Sequence, residues 1–188
     1  NPAKMGTGGR FLPPSGDFPL GTDEFGRDML SRILYGSRIT LLIGAVAVGI
    51  SMTLGMLVGM LAAFHRGWLE MILMRSTDVL FSFTETLIAL SFVAVLGPSL
   101  QNAVIAVGVA GIPFYARTCY SAALVETSKP YFEASISAGA GPGRLLFFHL
   151  MPNVLPTMIV VATLGVSTAI LAAAGLSFLG LGAQPPTS

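Results

Sequence analysis

Few residues in this chain have the type and spacing to do chemistry. Serines stand in Gly165-Val-Ser167 and Gly175-Leu-Ser177, and the two histidines are His65 and His149. A serine nucleophile needs its base within hydrogen-bond reach. Both histidines fall near expected loops rather than beside those serines, so a hydrolytic centre inside an apolar segment is a weak rival. No G-x-x-x-x-G-K-[ST] loop is present to cradle a phosphate, and no metal-ligand spacing occurs. Two acidic residues, Asp78 and Glu85, lie two helical turns apart and so share a face of any helix carrying both. Arg75 stands i,i+3 from Asp78 and is its expected partner.

The elements that must position these residues follow from composition. Charged residues make up 10% of the 188, hydrophobic residues 53%, and glycine numbers 22. Soluble domains carry about 25% charged residues. Such a chain cannot cover itself with a polar shell, and a net charge of +1 gives no footprint for nucleic acid. The single cysteine, Cys119, excludes an internal disulfide framework. The expected class is an all-α membrane protein, a polytopic helical bundle in a lipid bilayer.

Ile39–Phe64 carries no Asp, Glu, Lys or Arg. As a helix it outspans a hydrocarbon core of about 30 Å. Thr86–Ala116 is also uncharged, but Gly97-Pro98-Ser99 reads as a turn. After Arg144 no charge occurs to the end of the chain. Four spans are expected, near 39–64, 71–96, 100–126 and 154–178. They separate a first segment, 1–36, from a membrane domain, 37–182, with a long loop at 127–153 and an end segment at 183–188. Basic residues divide evenly between the two sides, so charge alone does not orient the bundle. The chain has no initiator Met and is expected to be a piece of a longer protein.

Ionisable groups at membrane depth are costly and face protein or water. Asp78 and Glu85 are therefore candidates to line a translocation cavity, with an interfacial Arg75–Asp78 ion pair as the plainer reading. Pro113, preceded by Gly108 and Gly111, predicts a kink that lines a cavity or merely bends the helix. Gly21–Gly36 predicts a short amphipathic helix capped by Thr22 or Asp23, with Asp28 and Arg32 as an i,i+4 pair. Gly55-x-x-x-Gly59, and Gly165, Ala169 and Ala173, are small-residue faces for close helix packing.

The 127–153 loop is the most informative segment. Pro130 suits a helix start, and Tyr131–Ala138 gives about two turns before Gly139, Gly141 and Gly143. Pro142 can open a second short helix ending near His149. Tyr131, Phe132, Ile136, Phe147 and Phe148 are too apolar for a bare solvent loop, which points to a groove on another protein or to packing under the bundle.

This loop resembles the EAA motif of permease subunits of ATP-binding-cassette importers: Glu-Ala-Ala, three residues, Gly, nine residues, Ile-x-Leu-Pro. Glu133, Ala134, Gly139 and Pro152 fall in register, while Ser135 replaces the second Ala, and His149 and Met151 replace the Ile and Leu. The His before Leu-Met-Pro-Asn is similar to the peptide and nickel branch. So are Pro19-Leu-Gly-Thr-Asp-Glu-Phe-Gly-Arg-Asp28, Ser31-Arg32, Gly36-Ser-Arg38 and Leu176-Ser-Phe-Leu-Gly-Leu-Gly182-x-Gln184-Pro-Pro186. One departure is Thr84-Glu85-Thr86, where the family usually has a proline after the phenylalanine at Phe83.

The resemblance implies a permease of six spans, of which this fragment holds four. It implies a cytoplasmic 127–153 loop, a periplasmic 1–36 segment and a truncated periplasmic end at 183–188, in a bacterial inner membrane. Tyr131, Phe132, Glu133, Ala134, Ser135, Gly139, Arg144, His149 and Pro152 would then form the joint to an ATPase subunit. Partners would be a homologous permease, identical or not, two ATP-binding subunits holding ATP and Mg, and a periplasmic solute-binding protein. The chain itself would be no enzyme and would hold no cofactor. Cargo would be di- or oligopeptides, or nickel. The rival reading is a secondary transporter or channel with Glu85 as the ion-coupling group.

Overall fold

The computed structural model describes residues 9–16 and 18–180. Regular structure among the described residues is helical, apart from one isolated bridge between Thr22 and Asp28. The end segment 183–188, with Gly182, Gln184 and the Pro185-Pro186 step, lies outside them. The chain divides into two compact units between Leu42 and Ile43.

The first unit is a loop followed by the opening turns of helix α1, Met29–Phe64. The loop is drawn together by Thr22. Its hydroxyl donates to the Gly9 carbonyl at 2.6 Å and accepts the Leu12 amide at 2.9 Å. Gly21 sits at φ +75, and an added Cβ would strike the Leu12 carbonyl oxygen. Asp28, not Thr22 or Asp23, caps α1. Its carboxylate accepts the Leu30 and Ser31 amides, both at 3.2 Å, and the Ser31 hydroxyl at 2.6 Å.

Two expectations are corrected here. The amphipathic helix expected at 21–36 is not a separate element: the chain stays in loop until Asp28, and the helix then runs unbroken to Phe64. Glycine at 36 lowers helix propensity but does not terminate a helix by itself. The Asp28–Arg32 pair does not form, because Asp28 is occupied by backbone amides. Arg32 instead bridges to Asp23 at 2.6 Å.

In the second unit α2, Trp68–Phe81, and α3, Glu85–Leu96, are bent by 90°. The single helix expected over 71–96 is thus broken. No proline causes the break. Ser82 N–H is shared between the Asp78 and Val79 carbonyls, the Ser82 hydroxyl donates to Val79 at 2.6 Å, and Phe83 N–H bonds Leu80. The last turn tightens, and Thr84 then adopts an extended conformation with ψ 141. Hydroxyl side chains that bond the preceding turn compete with helix continuation.

Helix α4, Leu100–Ala110, follows a turn held by Asn102, whose amide donates to the Leu96 and Gly97 carbonyls. Ser99 caps it by accepting the Asn102 amide at 3.1 Å. After Gly111 the chain continues as α5, Ile112–Thr127, with Pro113 in its first turn. There the missing N–H costs no hydrogen bond.

Helices α1 and α5 pack backbone to backbone. A Cβ added at Gly55 would lie 2.6 Å from Tyr115 Cβ, and one at Gly59 would lie 2.8 Å from Cys119 Cβ. The Gly-x-x-x-Gly face is therefore a tight internal contact. Ser51 ties the same helix, α1, to α4 by donating to the Gly108 carbonyl at 2.6 Å. Cys119 is fully buried, its thiol directed at the Met56 carbonyl.

Beyond α5 come α6, Pro130–Ser137, and α7, Pro142–Arg144. A π-helical turn over Leu145–Leu150 leads directly into α8, Met151–Phe178. The last apolar helical stretch therefore starts at Pro142 and runs unbroken past His149, where a short separate helix was expected to end. Pro152 has no N–H to give the Phe148 carbonyl. The turn widens, with Met151 N–H reaching Leu146, five residues back.

Met29–Phe64, Leu100–Thr127 and Pro142–Phe178 are long and apolar enough to cross a membrane. The bent α2–α3 pair makes a fourth crossing if counted as one span.

Candidate functional site

Two places bring chemistry-bearing residues together. The first is the corner from α5 through α6 to the π turn. Phe132 is buried and joins the core cluster with Leu145, Leu146 and Leu150. This anchor fixes α6 against the bundle. Glu126, near the end of α5, accepts two hydrogen bonds across the corner: Lys129 Nζ donates to Oε1 at 2.6 Å, and the Tyr131 hydroxyl donates to Oε2 at 2.9 Å. Burial, aided by the Glu126 carboxylate, pushes the Tyr131 phenol up to about 12.

The far end of α6 turns on Gly139, at φ +81. Its N–H bonds Ile136 at 2.9 Å, and Ala140 N–H bonds Ser135 at 3.1 Å. A Cβ at Gly139 would meet open space, so the requirement is conformational rather than steric. Between these fixed ends α6 exposes Glu133, Ala134 and Ile136, while Ser135 is half-buried and bonds back to the Tyr131 carbonyl.

Arg144, Phe147 and Phe148 are exposed as well. Phe148 at 75% is among the most exposed aromatic residues of the described chain. His149 is half-buried, and its carbonyl accepts Asn153 Nδ2 at 2.6 Å. Pro152 is exposed in the first turn of α8.

The second place is an open recess of about 450 Å³ lined by Asp78, Phe81, Ser82 and Arg117. Arg117 on α5 forms an ion pair with Asp78 on α2. This corrects the expected Arg75–Asp78 pair. A local i,i+3 partner lost to a residue far away in sequence, because α2 lies against α5. The same contact is fastened a second time by the Tyr120 hydroxyl, which donates to the Glu70 carboxylate. Glu85 is exposed at the start of α3, and Pro113 is buried in α5. Neither is among the residues that line the recess.

Sequence reading missed Arg117, Glu70, Tyr120 and Glu126. The available signal was that each is a polar group inside or at the rim of an apolar helix, where an unpaired group is costly.

Apolar helices of spanning length, one of them broken, define a multi-pass helical membrane protein. The chain belongs to the family of binding-protein-dependent transport system inner membrane components, whose model matches residues 55–188. It is 41% identical over 184 residues to the dipeptide transport system permease protein DppC of Alkalihalophilus pseudofirmus, covering 98% of this chain and 60% of that protein. It is 42% identical over 173 residues to the glutathione transport system permease protein GsiD of Pectobacterium atrosepticum, covering 92% and 58%. This chain thus spans about three fifths of the length of these relatives. Among solved structures, an inward-facing MetNI methionine ABC transporter matches with a TM-score of 0.72 at 24% identity, over 82% of this chain and 77% of that one. That likeness bears on the fold.

Proposed function

We propose that this chain is the core of a permease subunit of an ATP-driven importer in a bacterial inner membrane, and that the cargo is a short peptide. Its relatives are named for dipeptide and glutathione transport, which favours peptides over nickel. The working assembly pairs it with a second permease, two ATP-binding subunits and an external solute-binding protein. The α5–α6 corner lies on the cytoplasmic side.

One observation carries the reading. Helix α6 is clamped at both ends, by Phe132 with Glu126 and by the Gly139 turn, yet exposes Glu133, Ala134 and Ile136 between them. A helix so held transmits a push rather than absorbing it. In this reading the ATP-binding subunit grips that exposed face, with Phe147 and Phe148 adding apolar contact. Closure of the ATPase pair moves α6 as a rigid body, and α5 and α8, joined to it, tilt to switch access. ATP and Mg sit on the partner subunits, where the bond-breaking step takes place.

Cysteine crosslinking of the assembled complex tests the reading. Glu133→Cys is expected to capture an ATP-binding subunit, in an ATP-dependent manner. Capture of the external binding protein at that position, or of no ATP-binding subunit, would reverse the orientation or remove the role.

A further inference from the structure

The recess beside the α2–α3 break has features that packing alone does not require. Asp78 lies about three turns past the Trp68 start of α2, just before the break, and Arg117 about three turns before the Thr127 end of α5, each roughly 15 Å along the axis and so near the middle of a hydrocarbon core. Their side chains are nevertheless 39% and 54% exposed in this chain. Charges at that depth do not face lipid; they face water, a partner or a ligand. The recess opens where the helix breaks by 90°, and in transport proteins broken helices at mid-membrane supply polar groups to cargo.

We infer that this recess is a contact point on the translocation path for a short peptide, taking its terminal ammonium on Asp78 and its terminal carboxylate on Arg117. The inference rests on the peptide-importer reading and says which groups of the cargo are read. A site holding one charge of each sign, side by side, suits a zwitterion. It does not suit a divalent cation, which the Arg117 guanidinium would repel. Phe81, half exposed on the recess wall, gives an apolar surface for a peptide side chain. In the empty site the two charges satisfy each other, which limits the cost of holding them in the membrane. An ion pair this open to its surroundings is weakly held, so exchanging partners with an arriving peptide costs little. The planar guanidinium matches a carboxylate with two parallel hydrogen bonds.

The test uses the complete complex in proteoliposomes, with labelled alanyl-alanine supplied through the binding protein. The readout is peptide moved per ATP hydrolysed. Asp78→Asn and Arg117→Gln are each expected to lower it about tenfold, the loss of one charged hydrogen bond. The double exchange Asp78→Arg with Arg117→Asp keeps the pair but reverses the polarity of the recess, and is expected to stay low. Recovery of the wild-type ratio by the exchange would make the pair a structural tether and overturn the inference, as would wild-type ratios in the single variants. If the single variants do not assemble, the exchange variant decides alone. A photoreactive dipeptide should label the 78–82 stretch or its α5 neighbours in the wild-type complex, and labelling only elsewhere counts against the site. A wild-type complex that moves no dipeptide at all sinks the peptide reading itself, and this inference with it; a wild-type complex that transports, with unaffected variants, sinks this inference alone.

Discussion

The phenol of Tyr131 donates to Oε2 of Glu126 at 2.9 Å, tying the first turn of α6 back to the last turn of α5. The same carboxylate holds Lys129, so one side chain fixes the whole corner. Glu126→Gln keeps the shape but loses the charge, and Tyr131→Phe loses one donor. Each is expected to cost about 1 kcal/mol of local stability. The functional effect should be larger, since a loose corner lets the two helices move apart. More ATP should be hydrolysed per solute moved, measured in parallel transport and phosphate-release assays on proteoliposomes.

Phe132 is the apolar anchor of the same corner. Phe132→Ala leaves a cavity among Leu145, Leu146 and Leu150 and is expected to destabilise the local packing by about 3 kcal/mol. Hydrogen exchange should show the α6 amides losing protection while those of α1 near Gly55 keep theirs. Equal loss throughout would mean the corner does not open independently.

Gly139 needs its backbone angle, not its space. Gly139→Ala and Gly139→Leu should therefore cost similar amounts, about 1–2 kcal/mol for a left-handed residue. Gly139→Asn should be milder. A steep dependence on side-chain size in thermal unfolding would point to crowding by a neighbour instead.

Gly55 behaves in the opposite way, because its limit is contact with Tyr115 Cβ and the Ala116 amide. Here even Gly55→Ala must push α1 off α5, and larger residues should cost progressively more, about 1–3 kcal/mol or beyond. Unfolding in a mild detergent is the measurement, and a flat response across Ala, Val and Leu would contradict the close packing.

Asp23 and Asp28 give the first unit its pH dependence. Backbone amides lead in lowering Asp23, first that of Arg27, with Arg32 assisting. The Ser31 hydroxyl leads for Asp28, followed by the amides of Ser31 and Leu30. Both folded carboxyls titrate below their unfolded values. Their stabilisation is therefore fully present above the ordinary carboxylate range and is lost as pH falls through the lowered folded values. Proteolysis of the Gly9–Asp28 loop should stay slow at neutral pH and accelerate only in distinctly acid buffer. Asp28→Asn should remove part of that response.

Several features could be read from residues alone, and each had a local cause. Helix α6 begins at Pro130 and turns at Gly139 because proline and glycine act on their own backbone, whatever surrounds them. The long apolar spans were legible for the same reason. The break at Ser82–Thr84 was not, since it depends on hydroxyl groups that are equally at home inside a helix. Gly36 looked like a stop and is not one, because the residues on both sides continue the helix. Pairing was the least legible layer. Arg32 bypasses Asp28 for Asp23, and Asp78 bypasses Arg75 for Arg117; both choices are made by tertiary placement. The π turn before Pro152 was hidden because its cause is a donor missing four residues beyond the carbonyl that needs it.

Cys119 lies sealed between α1 and α5, with no surface of its own. Thiol reagents applied to the native molecule should pass Cys119 by. A spectroscopic probe placed at an introduced cysteine on α6 would then not be shadowed by label at Cys119, letting the tilt of the corner be followed through a turnover cycle with that buried thiol left in place.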